Sequence, residues 1–490
     1  MEKRTLKRII YSIMAPVCIG AILYMLWRGG IFLPRWIAWE NEQFYDVSGQ
    51  YEIVLAHKKV KVHWNDGKVW TSPKGLVVQQ ALSCDIDNDR QDELILLGWR
   101  TGRYGKSKPF WVEKNEQNWS QHIAVYEYDQ DAIKPKWVSS YIGMDVTCMA
   151  VVDEAAVREM ADTAKRPQNK LFLTDREGMV SRWFWDSWGF TKEETTVSFV
   201  VFGDNLIHEP IYQYGLYSDD GFSFLFENMK DVIEQSDIAV INQETPLTDD
   251  PARYSDYPRF ATPAQVGEAI SDSGFDVVTC ATNHALDQGI TGVDFTKKFF
   301  DTHDIKCIGI QSTDEEMYQP YDIIVRNGIR IAMLNYTYGT NGISIPIKNP
   351  NVVHLLEDEE RIRKDIEEAE ADSDFVVVFA HWGTEYETEP DDFQIKWTQI
   401  FAECGVDVVV GTHPHALQPY EMIRNDEGHE MLVYYSIGNY ISAQSEKSCV
   451  KGGMAAFTVS LTSDGYRITE YGLEPLTITW QEDRKCVVNF

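Results

Sequence analysis

The hydrophobic pattern divides the chain into three regimes. From about Phe44 to Phe190, short apolar runs such as YEIVLA, KVKVHW, ELILLGW and HIAVYEY are separated by Gly, Asn, Asp and Lys clusters, which predicts an all-β module. From Val197 onward, strand-like runs alternate with helical stretches: VSFVVFGD, a helix near 220–235, DIAVINQE, a helix near 263–273, FDVVTCATNH, a helix near 292–302 and IKCIGI. After the hairpin YDIIVRNGIRIAMLNYT come a helix at 357–371, DFVVVFAHWG, a helix at 391–403, VDVVVGTHPH and VYYSIGNY, and this alternation predicts an α/β domain. Ahead of both, Ile9 to Trp27 carries no charge.

As a helix that first run reaches roughly 28 Å at about 1.5 Å per residue, enough for a bilayer core. Lys3, Arg4, Lys7 and Arg8 precede it, so a single-pass anchor is expected, with the N-terminus cytoplasmic and the later domains extracellular at the cell membrane. A cleaved signal peptide is the alternative, but the run is long and no A-x-A-like site follows. The expected organisation is residues 1–40 as tail and anchor, 44–190 as the β module and 196–480 as the α/β domain. The charged stretch 153–170 reads as an insertion in the β module.

Composition adds constraints. The chain has 490 residues, 44% hydrophobic and 25% charged, with 45 basic against 76 acidic side chains and a net charge of −31. Such a field repels polyanions, which argues against nucleic acid as a partner, and an anionic substrate can approach only where bound cations reverse the local sign. Eight scattered cysteines without a CxxC pair give no disulfide framework or zinc knuckle.

Two constellations carry candidate chemistry. In CDIDNDRQDELILL, Asp85, Asp87, Asp89, Asp92 and Glu93 could converge on one loop. That loop resembles the acidic loop of FG-GAP and VCBS propeller repeats, which implies calcium, although Arg90 stands where such loops turn on glycine; a solvated acidic turn is the alternative. In the α/β region each apolar strand runs into polar residues able to bind metal: Asp204 and His208, Asn242 and Glu244, Asn283, His284 and Asp287, His381 and Glu385, His413 and His415. Ligands gather beyond the carboxyl ends of strands in such sheets, and imidazole plus carboxylate without thiolate suits Mn, Fe or Zn.

The segments FGDNLIH, INQETPL, NHALDQG, HWGTEY, GTHPHALQPYE and SIGNY resemble, in order and spacing, the motifs of the CapA (poly-γ-glutamate capsule) family over Val197 to Ala443, itself similar to calcineurin-like metallophosphoesterases. The resemblance implies a four-layer metallophosphoesterase-like β-sandwich flanked by helices, with two divalent metal ions. It implies Asp204, Glu244 and His415 at the first metal, with Glu244 bridging, and Asn283, His381 and His413 at the second. His284 matches the histidine that acts on the leaving group, and Asp287 accompanies it. The D-x-H motif is absent, Leu206 standing two residues after Asp204, and His208 is the substitute. Asn242, Trp382 and Glu385 are expected at the pocket, with Tyr386 and Tyr420 as further walls.

Three readings follow. One is a metal-dependent hydrolase acting at the cell surface on a phosphoester or other anionic polymer bond in capsule biosynthesis. The second is a non-catalytic component that binds or exports poly-γ-glutamate beside capsule synthase subunits. The third is a calcium-dependent docking or adhesion module.

Overall fold

The computed structural model describes residues 19, 23–27, 30–46, 48–87, 89–102, 118–129, 132–152, 169–186, 188–315, 317–482 and 484–490. Most of the expected membrane span Ile9–Trp27 and of the insertion at 153–170 lies outside them. Among the described residues no helix is long and apolar enough to cross a membrane. The chain divides into two compact units, Met1–Glu194 with Leu461–Gly465, and Thr195–Ser460 with Tyr466–Phe490.

The second unit is α/β. Its strands are β1 (Thr196–Asn205), β2 (Ile238–Gln243), β3 (Val277–Thr279), β4 (Lys306–Ile308), β5 (Tyr321–Arg326), β6 (Ile329–Thr337), β7 (Phe375–His381), β8 (Val408–Thr412), β9 (Tyr420–Arg424), β10 (Glu430–Tyr434), β11 (Asn439–Ile441), β12 (Lys451–Thr462), β13 (Gly465–Trp480) and β14 (Cys486–Asn489). One sheet runs β4-β3-β2-β1-β12-β13-β14, with β11 beside β1. The other runs β5-β6-β7-β8-β10-β9. Within each, the central strands are parallel: β1 to β4 in the first, and β6, β7, β8 and β10 in the second.

The two sheets face each other across a core built from alternate residues. Val197, Phe199 and Val201 of β1 and Ile238 and Val240 of β2 meet Ile331 and Met333 of β6, Phe375, Val377 and Phe379 of β7, and Val408 and Val410 of β8. The intervening residues are apolar too, because helices cover both outer faces, and this is why these strands read as continuous hydrophobic runs. Val200, Phe202, Ala239 and Ile241 pack against α1 (Glu209–Tyr217), α2 (Lys230–Gln235), α3 (Ala264–Asp272) and α4 (Gly289–Thr302). Leu334, Val376, Val378 and Val409 pack against α5 (Glu359–Asp372) and α6 (Asp392–Glu403) through Ile362, Ile366, Trp397 and Phe401. The result is four layers, helix on sheet on sheet on helix.

Two local differences from the pattern have physical causes. The stretch expected as one helix at 220–235 is a 3₁₀ turn at Ser223–Leu225 followed by the short α2. The helix α1, not anticipated, opens on Pro210 in its first turn, where the missing N–H costs nothing.

Motif glycines set the close approach of strands at the site. A Cβ on Gly203 would lie 1.9 Å from the Gly438 carbonyl oxygen, and one on Gly411 would lie 2.0 Å from that of Tyr435. The Asp204 N–H donates to that same Gly438 oxygen at 3.1 Å.

The first unit is all-β. Its described strands form three antiparallel four-stranded sheets, each built in sequence order, covering Glu42–Thr71, Val77–Val138 and Val146–Glu193. Apolar clusters around Ile53, Val62 and Leu96, and around Ile95, Val125 and Leu171, join first sheet to second and second to third. Buried glutamines reinforce the second junction: Gln121 Nε2 donates to Val146 O at 2.7 Å while Val146 N–H donates to Gln121 Oε1 at 2.7 Å, and Gln80 makes the same reciprocal pair with Met149 at 2.6 Å each. Satisfied on both sides, these amides act as extra strand hydrogen bonds.

Gly203→Ala forces strand β1 away from the 438 turn and is expected to destabilise the second unit by at least about 3 kcal/mol. Chemical denaturation checks this; a loss below 1 kcal/mol would show that the two backbones can separate cheaply.

Candidate metal centre

Parallel strands deliver their carboxyl-terminal ends to one edge of the sandwich, and the ligand-type residues stand there. Asp204 ends β1, Asn242 and Glu244 end β2, His381 ends β7, and His413 and His415 follow β8. Asn283 and His284 follow β3 by a short turn, and Asn439 opens β11, in register with Asp204.

The side chains converge. His381 Nε2 is 2.9 Å from Asn283 Oδ1 and 3.7 Å from Glu244 Oε1, while its Nδ1 is held by Thr412 Oγ1 at 3.0 Å. His415 Nδ1 lies 3.0 Å from Asp204 Oδ2 and 2.9 Å from Asn439 Oδ1; two acceptors around one nitrogen place the proton there and leave Nε2 toward Glu244, 3.8 Å away. Ligand atoms of Glu244, His413 and His415 all lie within 4.8 Å of one another. His413 and His415 take left-handed backbone angles, φ 96° and 56°, a strained conformation that aims both imidazoles inward from one short loop.

Glu244 is the least satisfied group. It is 1% exposed, and neither carboxylate oxygen has a hydrogen-bond partner; His413 Nδ1 is likewise buried and unpartnered. Burial pushes the Glu244 carboxyl well up, and the Asp204 charge adds to it. Burial pushes His381 and His413 well down, so both stay neutral ligands. Desolvation opposes the charge on His415 too, but the Glu244 and Asp204 carboxylates outweigh it and raise this histidine to about 9.

Asp204, by contrast, is fully engaged. Its Oδ1 accepts from Asn242 Nδ2 at 2.8 Å, and its Oδ2 accepts from the His413 N–H at 3.3 Å as well as from His415. Asn242, expected at the pocket, is instead buried behind Asp204 and is itself fixed by the Thr279 hydroxyl at 2.9 Å. His208 stands at the N-cap of α1, where its Nδ1 accepts the Ala443 N–H at 3.2 Å and its ring meets Phe260; it is not among the three clustered ligands. Trp382 is no pocket wall either: it is fully buried under the helices, its indole N–H donating to Tyr435 O at 2.9 Å. Glu385 is exposed and near enough for its charge to act on Glu244 and His415. The Tyr386 ring lies 6.3 Å from that of His415, whereas Tyr420 stacks on Tyr434.

Beside the cluster, His284 Nδ1 is 2.7 Å from Asp287 Oδ2, which also accepts the Phe260 N–H at 2.8 Å. Several participants went unread in the sequence: Asn439, although SIGNY was recognised, and Thr412, Phe260, Tyr338 and Asn341. Tyr338 packs its ring 4.5 Å from that of His413 and hydrogen-bonds the Asn283 side chain.

The acidic loop of the first unit meets a different fate. Asp85, Asp87 and Glu93 do converge, but the Lys136 ammonium sits among them, donating to Asp87 Oδ2 and, at 2.7 Å, to Glu93 Oε1. Asp89 turns its backbone N–H to Asp85 and Asp87, and Asp92 contacts Ser83. Arg90 adopts φ 74°, the glycine-like turn, and its N–H donates to Asp85. At the position where calcium was expected, a lysine thus pairs with two of the three carboxylates.

Burial raises Glu93 to about 7 even with Lys136 in place. A carboxyl raised above its unfolded value costs stability at pH above 7, and that cost is relieved as pH falls toward 4.5. Lys136→Ala strands this charge, so a loss of about 3 kcal/mol is expected at pH 8 and a smaller one at pH 5; equal losses in urea unfolding at both pH values would contradict this account.

The donor set around Glu244 fits a divalent cation. A buried carboxylate without partners, neutral imidazoles at His381 and His413, and an Asn283 oxygen facing His381 are the groups a metal satisfies, and Thr412, Asp204 and Asn439 orient the histidines from behind. The His415 proton, fully held below pH 6.5 and lost as pH rises through about 9, competes with that cation. Metal at 100 times its dissociation constant is expected to stabilise the wild type by about 2.7 kcal/mol. At a fixed metal concentration the gain is larger at pH 8 than at pH 6, and Glu244→Gln largely abolishes it. Thermal unfolding with Mn²⁺ or Zn²⁺ measures this, and an undiminished gain in Glu244→Gln would place the cation elsewhere.

A family profile described as "Bacterial capsule synthesis protein PGA_cap" matches residues 198–444, half of the chain. The PGA biosynthesis protein CapA of Bacillus subtilis (strain 168) is 28% identical over 228 residues, 46% of this chain and 58% of that protein. The capsule biosynthesis protein CapA of Bacillus anthracis is 26% identical over 267 residues, 52% and 61% respectively. The matches therefore span about three-fifths of the length of these curated relatives. Among solved structures, a phosphatase of Mycoplasma pneumoniae is similar at 14% identity and TM-score 0.35, over 57% of this chain and 93% of that one. The NAD nucleotidase of Haemophilus influenzae is similar at 14% identity and TM-score 0.34, over 60% of each chain. On the strength of the profile match, the chain belongs to the bacterial capsule synthesis protein family PGA_cap.

Proposed function

We propose that this chain is a metal-dependent hydrolase acting at the cell surface on a phosphoester or other anionic polymer bond, in capsule or envelope biosynthesis. The observation that carries the reading is the pairing of two features at one sheet edge: the unpartnered Glu244 carboxylate among His381, His413 and His415, and the His284–Asp287 dyad beside it. Glu244, Asn283, His381, His413 and His415, with Asp204 behind them, are the residues that would hold divalent cations. When bound, such ions supply Lewis acidity toward an anionic oxygen and lower the pKa of water.

The rest is done by the chain. Asp287 Oδ2 accepts a hydrogen bond from His284 Nδ1–H, and the Phe260 N–H on the same oxygen keeps the carboxylate from rotating. With Nδ1–H held by Asp287, the imidazolium form of His284 carries its second proton on Nε2, and this is the proton given to a departing oxygen, leaving the neutral ring. The Phe260 ring, 4.8 Å from the imidazole and set edge to face, covers it from water. The dyad is the feature that favours catalysis over binding alone.

The names of the relatives, with biosynthesis in them, support a role in building a capsule polymer such as poly-γ-glutamate beside synthase subunits. The uncharged run Ile9–Trp27 supports a lipid membrane anchor with the N-terminus inside and the site outside. A binding or export role without cleavage is the second reading, motivated by the same names.

The purified full chain with Mn²⁺ is expected to hydrolyse bis(p-nitrophenyl) phosphate, to lose activity with chelator, and to lose about 10²- to 10⁴-fold in kcat on His284→Ala with metal content unchanged. No turnover on phosphodiesters or γ-glutamyl peptides would reject the hydrolase and leave the binding role.

A further inference from the structure

The turn after β6 enters the site without belonging to any of the recognised motifs. Asn341 holds φ 50° there, an angle asparagine tolerates, and its side chain is exposed. Its Oδ1 accepts from Asn283 Nδ2 at 3.3 Å. The Asn283 amide has its own oxygen committed to His381 Nε2, so it can offer only its nitrogen, and this fixes which way Asn341 points.

The Asn341 Nδ2 group is thereby turned to His284, 3.4 Å from Nδ1. That contact is no hydrogen bond, because His284 Nδ1 already directs its proton to Asp287 at 2.7 Å and has no lone pair left to accept another. The amide hydrogens of Asn341 are left without an acceptor there, on an exposed side chain set between His284 and Asn283. Among the described residues no lysine or arginine pairs with Asp204 or Glu244. A neutral donor aimed at a developing negative charge is one protein contribution to holding an anion at this place.

We propose that Asn341 is a substrate-contacting residue whose Nδ2 donates to a non-bridging oxygen of a phosphoryl or comparably anionic group held beside His284. The proposal deepens the hydrolase reading and rests on it, but anion binding tests it separately. Two variants remove the donor by different routes. Asn341→Asp keeps the shape and the backbone angle and replaces donor by acceptor; Asn341→Gly keeps the backbone angle and removes the side chain.

With the full chain loaded with Mn²⁺, inorganic phosphate binding by calorimetry is expected to weaken about 10- to 100-fold in Asn341→Gly and further in Asn341→Asp. kcat/KM on the diester falls by a similar factor, while metal content and unfolding temperature stay at wild-type values. Unchanged phosphate affinity, or a wild type that binds no phosphate, overturns the proposal. So does a parallel fall in metal content, which would show that Asn341 acts through Asn283. If the wild type binds phosphate yet turns nothing over, the hydrolase reading falls while the phosphate arm still decides the role of Asn341.

Discussion

The second unit is organised around a carboxylate that the protein itself does not satisfy. Glu244 is enclosed on every side, and none of its enclosing groups donates a hydrogen bond to it. An uncompensated buried charge costs several kcal/mol, and burial accordingly pushes this carboxyl well up from its ordinary range. Three hydrophobic clusters supply the rigidity that holds it there: the inter-sheet core fixes β1, β2, β7 and β8 relative to one another, and the two helix layers keep their carboxyl ends from fraying. Imidazoles fixed by Thr412, Asp204 and Asn439 cannot swing to relieve the carboxylate. The point that a cation would occupy is therefore defined by geometry: it faces Glu244, His413 and His415.

The two units meet the same electrostatic problem with opposite solutions. In the first, Asp87 and Glu93 crowd together and Lys136 is threaded between them, closing the cluster with a resident ammonium and making it structural. In the second, Asp204 is compensated by amide and imidazole donors while Glu244 is left open. Convergent carboxylates alone did not distinguish the two; the presence or absence of a lysine or arginine among them does.

That distinction also measures how far the sequence could be read. The parallel strands and the ligand-type residues at their ends were legible because both are local: an apolar run predicts a strand, and a ligand-type residue just beyond its end predicts a position at the sheet edge. The acidic loop was legible as a cluster but not as a filled one, since Lys136 is 49 residues from Asp87 and nothing in its own surroundings marks it. Asn341 was unread for the same reason, reaching Asn283 across 58 residues from a turn that has no apolar period. Trp382 was misplaced because adjacency to His381 in sequence became opposition in space, successive residues at the end of a strand pointing to opposite faces. Histidine at 208 looked like a ligand by type, yet the proline that opens α1 places it at a cap, where the backbone of Ala443 claims its nitrogen.

The charge of the whole chain sharpens what the site must do. At −31, the surface works against the approach of any anion, and Glu385 adds another acid near the cluster. On the proposed reading, capture at this edge would be short-ranged, from cations seated against Glu244 and from donors such as an exposed amide that carry no charge of their own. A lysine placed there would attract anions from afar, but it would also neutralise Glu244 as Lys136 neutralises Glu93, and the cation seat would be lost. On the proposed reading, keeping lysine and arginine out of the cluster preserves the cation seat, and it leaves neutral hydrogen-bond donors among the protein's own means of recognising an anion.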